Sequence, residues 1–153
     1  MLHDFELAKK RIRLWQRIGE SYEHVLMKAL GFALFVEEFP MLEIETKVDL
    51  RYKPDLVARG EEANNFLFWG EAGANSVRKT KWLLKHARVE RLVLFKIAIN
   101  EVQFVKQLRE EIPLKYRTGG KLILINFKGE IKHLTVTKQI EKVSKDWFRE
   151  IQI

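Results

Sequence analysis

Two carboxylates have the setting of catalytic or metal-binding groups. Asp55 lies in Lys53-Pro54-Asp55-Leu56 and Glu71 in Trp69-Gly70-Glu71-Ala72-Gly73, each at the end of a predicted strand beside a turn. Those strands, 55–58 and 66–70, are joined by a hydrophilic link containing Gly60, Glu61, Glu62, Asn64 and Asn65, which is a hairpin pattern. With both acids at one end of the sheet, they offer the hard oxygen ligands that Mg²⁺ or Mn²⁺ prefers. A cation held there polarises a scissile phosphate and lowers the pKa of an attacking water. Pro54 sets the backbone ahead of the first strand, while Gly70 and Gly73 let the chain bend or a ligand approach around Glu71. Immediately after comes a basic amphipathic helix, predicted over 77–86 behind the N-cap pair Asn75-Ser76. It carries Arg78, Lys79, Lys81 and Lys85, with Arg88 beyond, a row suited to tracking a phosphate backbone.

The elements that must position these groups read as a mixed α/β domain with a central sheet. Val25, Leu26, Ala29, Leu30, Ala33 and Leu34 recur at helical spacing, predicting a largely buried helix over 21–37 with Ser21 as N-cap. Residues 42–48 alternate as a strand with one solvated face, and 91–97 form a nearly continuous apolar strand covered on both faces. A helix over 101–111 stopped by Pro113, a turn at 118–120, strands over 121–127 and 131–137, and a last helix over 138–150 complete the reading. Residues 5–18 fit either strand alternation or a helical stripe. No repeat or linker divides the chain, so residues 1–153 are expected to form a single domain.

Composition narrows the classes. The 153 residues include no cysteine, which excludes disulfides and thiolate metal sites, and 46% are apolar, enough for a real core. The apolar stretch 30–36 is far shorter than the roughly 20 residues of a membrane-spanning helix, so no membrane partner is expected. The N-terminus lacks the pattern of a secretory signal, and a reducing, cytoplasmic setting is the expectation. An excess of 28 Lys+Arg over 21 Asp+Glu gives a net charge of +7, which favours polyanions such as nucleic acid. His3, His24, His86 and His133 share no metal-ligand spacing and read as surface or satisfied histidines. By their spacing Trp15, Trp82 and Trp147 read as core, whereas Trp69 adjoins the proposed site.

Glu20-Ser21-Tyr22-Glu23-His24 leading into the 27–34 helix, Lys53-Pro54-Asp55-Leu56, Leu67-Phe68-Trp69-Gly70-Glu71-Ala72-Gly73 and the strand 92–97 follow one another over roughly residues 5–115. In this order they resemble the PD-(D/E)XK nuclease superfamily and, within it, the YaeQ family. The resemblance implies an α-β-β-β-α-β, restriction-endonuclease-like core in which Asp55 and Glu71 match the two acidic positions. It also implies an assisting carboxylate from the first helix, for which Glu20 and Glu23, one turn apart, are the candidates. It favours strands over 5–14, because YaeQ-like chains open with strands. The superfamily lysine would stand two residues after Glu71, where this chain has Gly73; YaeQ-like chains tend to lack that lysine too. The Gln that commonly follows that glycine in YaeQ-like chains is Ala74 here. A lysine reaching back from the next helix is the expected replacement, and Lys79, in its first turn, is the choice.

The expected function is therefore metal-dependent hydrolysis of phosphodiester bonds in DNA or RNA. In that role Asp55, Glu71 and Glu20 hold Mg²⁺ or Mn²⁺, Glu23 completes the catalytic set, Lys79 assists, and Arg78, Lys81, Lys85 and Arg88 bind nucleic acid. The alternative is an inactive nucleic-acid-binding or protein-interaction module on the same scaffold, since a fold alone does not decide function.

Overall fold

The computed structural model describes residues 1–62 and 64–153. The chain opens with a hairpin, β1 (Leu2–Leu7) and β2 (Lys10–Trp15), and continues through α1 (Tyr22–Phe35), β3 (Glu43–Ile44), β4 (Leu56–Arg59), β5 (Phe66–Ala72), α2 (Val77–His86), β6 (Leu92–Ile97) and α3 (Glu101–Glu111). Its last part holds β7 (Leu122–Phe127), the one-turn α4 (Ile131–Leu134), β8 (Gln139–Ile140) and β9 (Phe148–Gln152). Six strands form the main sheet in the order β3-β4-β5-β6-β7-β9, and β2-β1-β8 form a smaller one. From α1 to β6 the element order is the helix, three strands, helix, strand series expected from the sequence. Among the described residues no helix is long and apolar enough to cross a membrane.

The helices α1, α2 and α3 are explained by their caps and their buried faces. Ser21 accepts a bond from the His24 amide, and α1 buries Val25, Leu26, Ala29, Leu30 and Phe32 against one face of the sheet. The other face is covered by α2, capped by Ser76, and α3, capped by Asn100, around Leu83, Leu84, Val105 and Leu108. Covered on both sides, β6 is buried from Leu92 to Lys96, which accounts for its unbroken apolar run. At Gly31 an added Cβ would lie 2.7 Å from Leu56 and 2.8 Å from Phe95, so glycine is what lets α1 approach the sheet this closely.

Four stretches depart from the sequence expectation or settle it. The ambiguous stretch 5–18 takes the strand form as far as Trp15, in a hairpin that turns at Ala8 and Lys9, both with positive φ, without the Asn-Gly signal of such turns. Of the strand expected over 42–48 only Glu43 and Ile44 pair; Glu45, at φ 56°, turns its carboxylate inward to a buried lysine. The expected strand over 131–137 is instead α4, where Ile131 and Thr135, four apart, are both buried and the Thr135 hydroxyl bonds the Ile131 carbonyl. The expected helix over 138–150 is replaced by β8, a 3₁₀ turn at Lys145–Trp147 and β9. Val143 and Trp147, four apart, mimic a helical stripe, but pairing along the open edge of β7 prevails over local pattern.

Candidate functional site

The two acids meet where β4 begins and β5 ends. Asp55 is held flush in the sheet on both sides: Glu45 N–H donates to its carbonyl at 2.9 Å, and its own N–H donates to the Gly70 carbonyl at 3.1 Å. Its carboxylate accepts from the Ala72 N–H at 2.8 Å, one residue past Glu71. Glu71 points to the α2 side and is only 3% exposed. One oxygen accepts from the indole N–H of fully buried Trp69, two residues back on the same face, at 2.9 Å. The other is met at 3.1 Å by Nζ of Lys79, whose ammonium also lies over the Tyr52 ring. Burial, and then the negative charge of Asp55, push the Glu71 carboxyl up to about 7 despite these donors.

A second set of charges lies beyond Asp55 on the α1 side. His24 Nε2 is 3.6 Å from the Asp55 carboxylate, and its Nδ1 is 2.5 Å from Glu20. Asp55 raises the His24 pKa, opposed by burial and helped by Glu20. Lys28 is completely buried and bridges Glu20 at 2.7 Å and Glu45 at 2.6 Å. Burial works against the Glu20 charge, but bonds from Lys28, the Arg17 amide and His24 hold that carboxyl down at about 2. Glu20, His24, Glu45 and Asp55 share the wall of an open pocket of about 510 Å³, with Arg17 and Ile18 also lining it. Nδ2 of Asn75, in the loop between Glu71 and α2, is buried without a partner among the described residues.

Position 73 explains the departure from the motif. Gly73 has φ +82°, and a Cβ there would sit 3.1 Å from the His24 ring, so a lysine is strained at that point whatever its length. Its amide continues the parallel ladder by donating to the Phe95 carbonyl, which brings Lys96 alongside. Lys96 projects from the same sheet face as Glu71 and is 9% exposed. Its ammonium donates to the Gly73 carbonyl and lies over the Phe104 ring. Burial lowers its pKa, opposed by the nearby Glu71 carboxylate. A lysine inside the apolar run Leu92-Val93-Leu94-Phe95-Lys96-Ile97 was the available signal for this residue.

The residues singled out from sequence are thus only partly brought together. Asp55, Glu71 and Lys79 converge, and Glu20 reaches Asp55 through His24. Glu23 does not join them, because its exposed carboxylate pairs with Lys132 at 2.7 Å, which lowers its pKa. Along α2, Arg78 and Lys85 are exposed and Lys81 is half-buried; the helix runs antiparallel to β5, away from Glu71. Arg88 lies beside Phe66, at the opposite end of the sheet from the acids. Trp15, expected in the core, is 62% exposed. Sequence reasoning passed over His24, Lys28, Glu45 and Lys96. For His24, Lys28 and Glu45 the hydropathy pattern carried no sign of the contacts that join them through Glu20 and Asp55.

Among the described residues no three carboxylate or imidazole groups converge as a closed metal centre. The donor set nonetheless suits a hard cation. Asp55 and Glu71 repel one another across the end of the sheet, and the ammonium bonded to Glu71 among the described residues, that of Lys79, is on a side chain 22% exposed.

This architecture, a mixed sheet with an acid at the mouth of each of two neighbouring strands and helices on both faces, defines the class of α/β domain. Two solved structures with the same fold are YaeQ proteins. One, from Xanthomonas axonopodis pv. citri, superposes with a TM-score of 0.62 at 16% identity over 87% of this chain and 75% of that one. Another, from Pseudomonas syringae, gives 0.63 at 14% identity over 99% and 92%. No family model matches the chain, and no curated protein is similar to it in sequence.

Proposed function

We propose that the protein is a YaeQ-type member of the PD-(D/E)XK superfamily and hydrolyses phosphodiester bonds of nucleic acid with a divalent cation. The observation that carries this reading is Glu71 itself, whose carboxyl is pushed to about 7 by burial and then by the charge of Asp55, with two lysines on its own face. Carboxylates so placed are costly unless they hold a positive group. Asp55 and Glu71 would hold Mg²⁺ or Mn²⁺, which when bound polarises the phosphate and acidifies an attacking water. Lys79, bonded to Glu71, would yield that carboxylate to a bound cation and face the phosphate instead. Lys96 supplies, from the neighbouring strand, the ammonium that the motif would carry at position 73. Glu20 fixes His24 against Asp55 and is itself held by Lys28, so these three keep the Asp55 carboxylate oriented.

The test is cleavage of single- and double-stranded DNA and RNA in Mg²⁺ or Mn²⁺. Wild-type protein is expected to cleave at least one of them, and Asp55→Ala or Glu71→Ala to abolish it. Lys96→Met is expected to lower kcat about 10²–10³-fold, the usual effect of losing one positioned transition-state donor, and Lys79→Met less. Absence of any cleavage sensitive to Asp55→Ala contradicts the reading. One observation favours the second reading, an inactive binding module: both Glu71 oxygens already have donors. On that reading Mn²⁺ leaves the protein's thermal stability unchanged.

A further inference from the structure

The outer face of the small sheet is bare, and β2 is its open edge. Along β2 the side chains alternate: Leu14 is buried and Ile12 half-buried against the core, while Arg11, Arg13 and Trp15 face outward. Trp15 is 62% exposed, and Leu2, opposite it in the ladder, flanks it on the same face. The chain then runs through Gln16 to Arg17 and Ile18, which line the pocket containing Asp55 and His24. Both oxygens of Asp4 are bonded by Arg11, and Arg13 lies 3.8 Å from the same carboxylate, so one acid serves two guanidinium groups. Counting Glu6, opposite Arg11, the row of Arg11, Arg13 and Arg17 less Asp4 and Glu6 keeps one net positive charge.

We infer that this row is the path by which an unpaired nucleic-acid strand reaches the candidate site, with a base stacked on Trp15 and phosphates beside Arg13 and Arg17. The proposal rests on the nucleic-acid reading above. Its geometry favours a single strand. Alternate residues of a strand are about 6.7 Å apart, twice the roughly 3.4 Å per nucleotide of one strand in a duplex, so the row matches a chain drawn out with its bases unstacked. An exposed indole beside an arginine ladder is the combination that binds such strands without regard to sequence. The basic row on α2, by contrast, runs away from Glu71 toward Arg88 at the far end of the sheet.

Fluorescence anisotropy of a labelled 15-nucleotide oligothymidylate with the full chain, in EDTA so that nothing is cleaved, tests it. The single strand is expected to bind more tightly than a duplex of equal length. Trp15→Ala weakens it about tenfold, Trp15→Phe retains most of the affinity, and Arg17→Ala lowers the salt slope by about 0.7. Equal affinity of the wild type and Trp15→Ala, no binding of the single strand, or a concentration-dependent dimer in sedimentation that Trp15→Ala dissociates would overturn it. The two readings separate cleanly. Binding without cleavage in Mn²⁺ removes the nuclease and leaves the path; cleavage with an affinity indifferent to Trp15→Ala does the reverse.

Discussion

Glu71 is the residue on which the energetics of the site turn. Its folded carboxyl stands at about 7 against an ordinary value of 4.5. The folded state therefore binds the proton more tightly than the unfolded one, and this contribution to stability is complete below pH 4.5 and lost as pH rises through 7. Glu71→Gln should remove that loss, leaving the variant about 1–3 kcal/mol more stable than wild type at pH 8 and little different at pH 4. Thermal melts of both proteins across that range check it; an identical pH profile would mean that Glu71 ionises freely. Lys28 has the opposite character. It is fully buried between Glu20 and Glu45, so Lys28→Ala leaves two inward-turned carboxylates without their cation and should cost about 3 kcal/mol by chemical denaturation. Glu20→Gln combined with Glu45→Gln in the same background should recover part of that loss. Asp55, Glu71 and Lys79 were legible in the sequence because turns, a proline and a helix cap flank them. Lys96 was marked only by its place in an apolar strand, and His24 not at all, because both reveal their neighbours only after the strands have paired.

Among the elements, α1 and the strands it covers set the depth of the site. Gly31 lies where α1 touches Leu56 and Phe95, the former next in chain to Asp55, the latter next to Lys96. Gly31→Ala should push the helix off the sheet and destabilise the fold by about 1–3 kcal/mol, measured by denaturant midpoint, with the end of the sheet that carries Asp55 loosened too. No change in midpoint would mean that Leu56 and Phe95 have room to yield. Elements whose signal is local were readable. The caps Ser21, Ser76 and Asn100 and the stop at Pro113 delimit α1, α2 and α3 closely to the expected spans. The C-terminal region was not readable, because β9 exists through its partner β7 and its own residues repeat at a spacing that equally suits a helix. The β1–β2 turn was hidden for a different reason: Ala8 and Lys9 adopt positive φ that neither residue type advertises.

At the scale of the whole molecule, two basic rows contribute to the net charge of +7. The α2 row leads away from the acids, and the β2 row leads to them. Between these surfaces lies the sheet end where Asp55 and Glu71 face one another, bordered by Lys79, Lys96 and the His24–Glu20–Lys28 chain. A cation bound only by the folded protein must stabilise it, so Mn²⁺ at about 100 times its dissociation constant should add about 2.7 kcal/mol, an increment absent from Asp55→Ala. The most direct measurement is anomalous scattering from a crystal soaked in Mn²⁺. The account predicts a manganese peak between the Asp55 and Glu71 carboxylates, with the Lys79 ammonium displaced from Glu71. A crystal with no peak there, and with Lys79 still on Glu71 and the Ala72 amide still on Asp55, would contradict it.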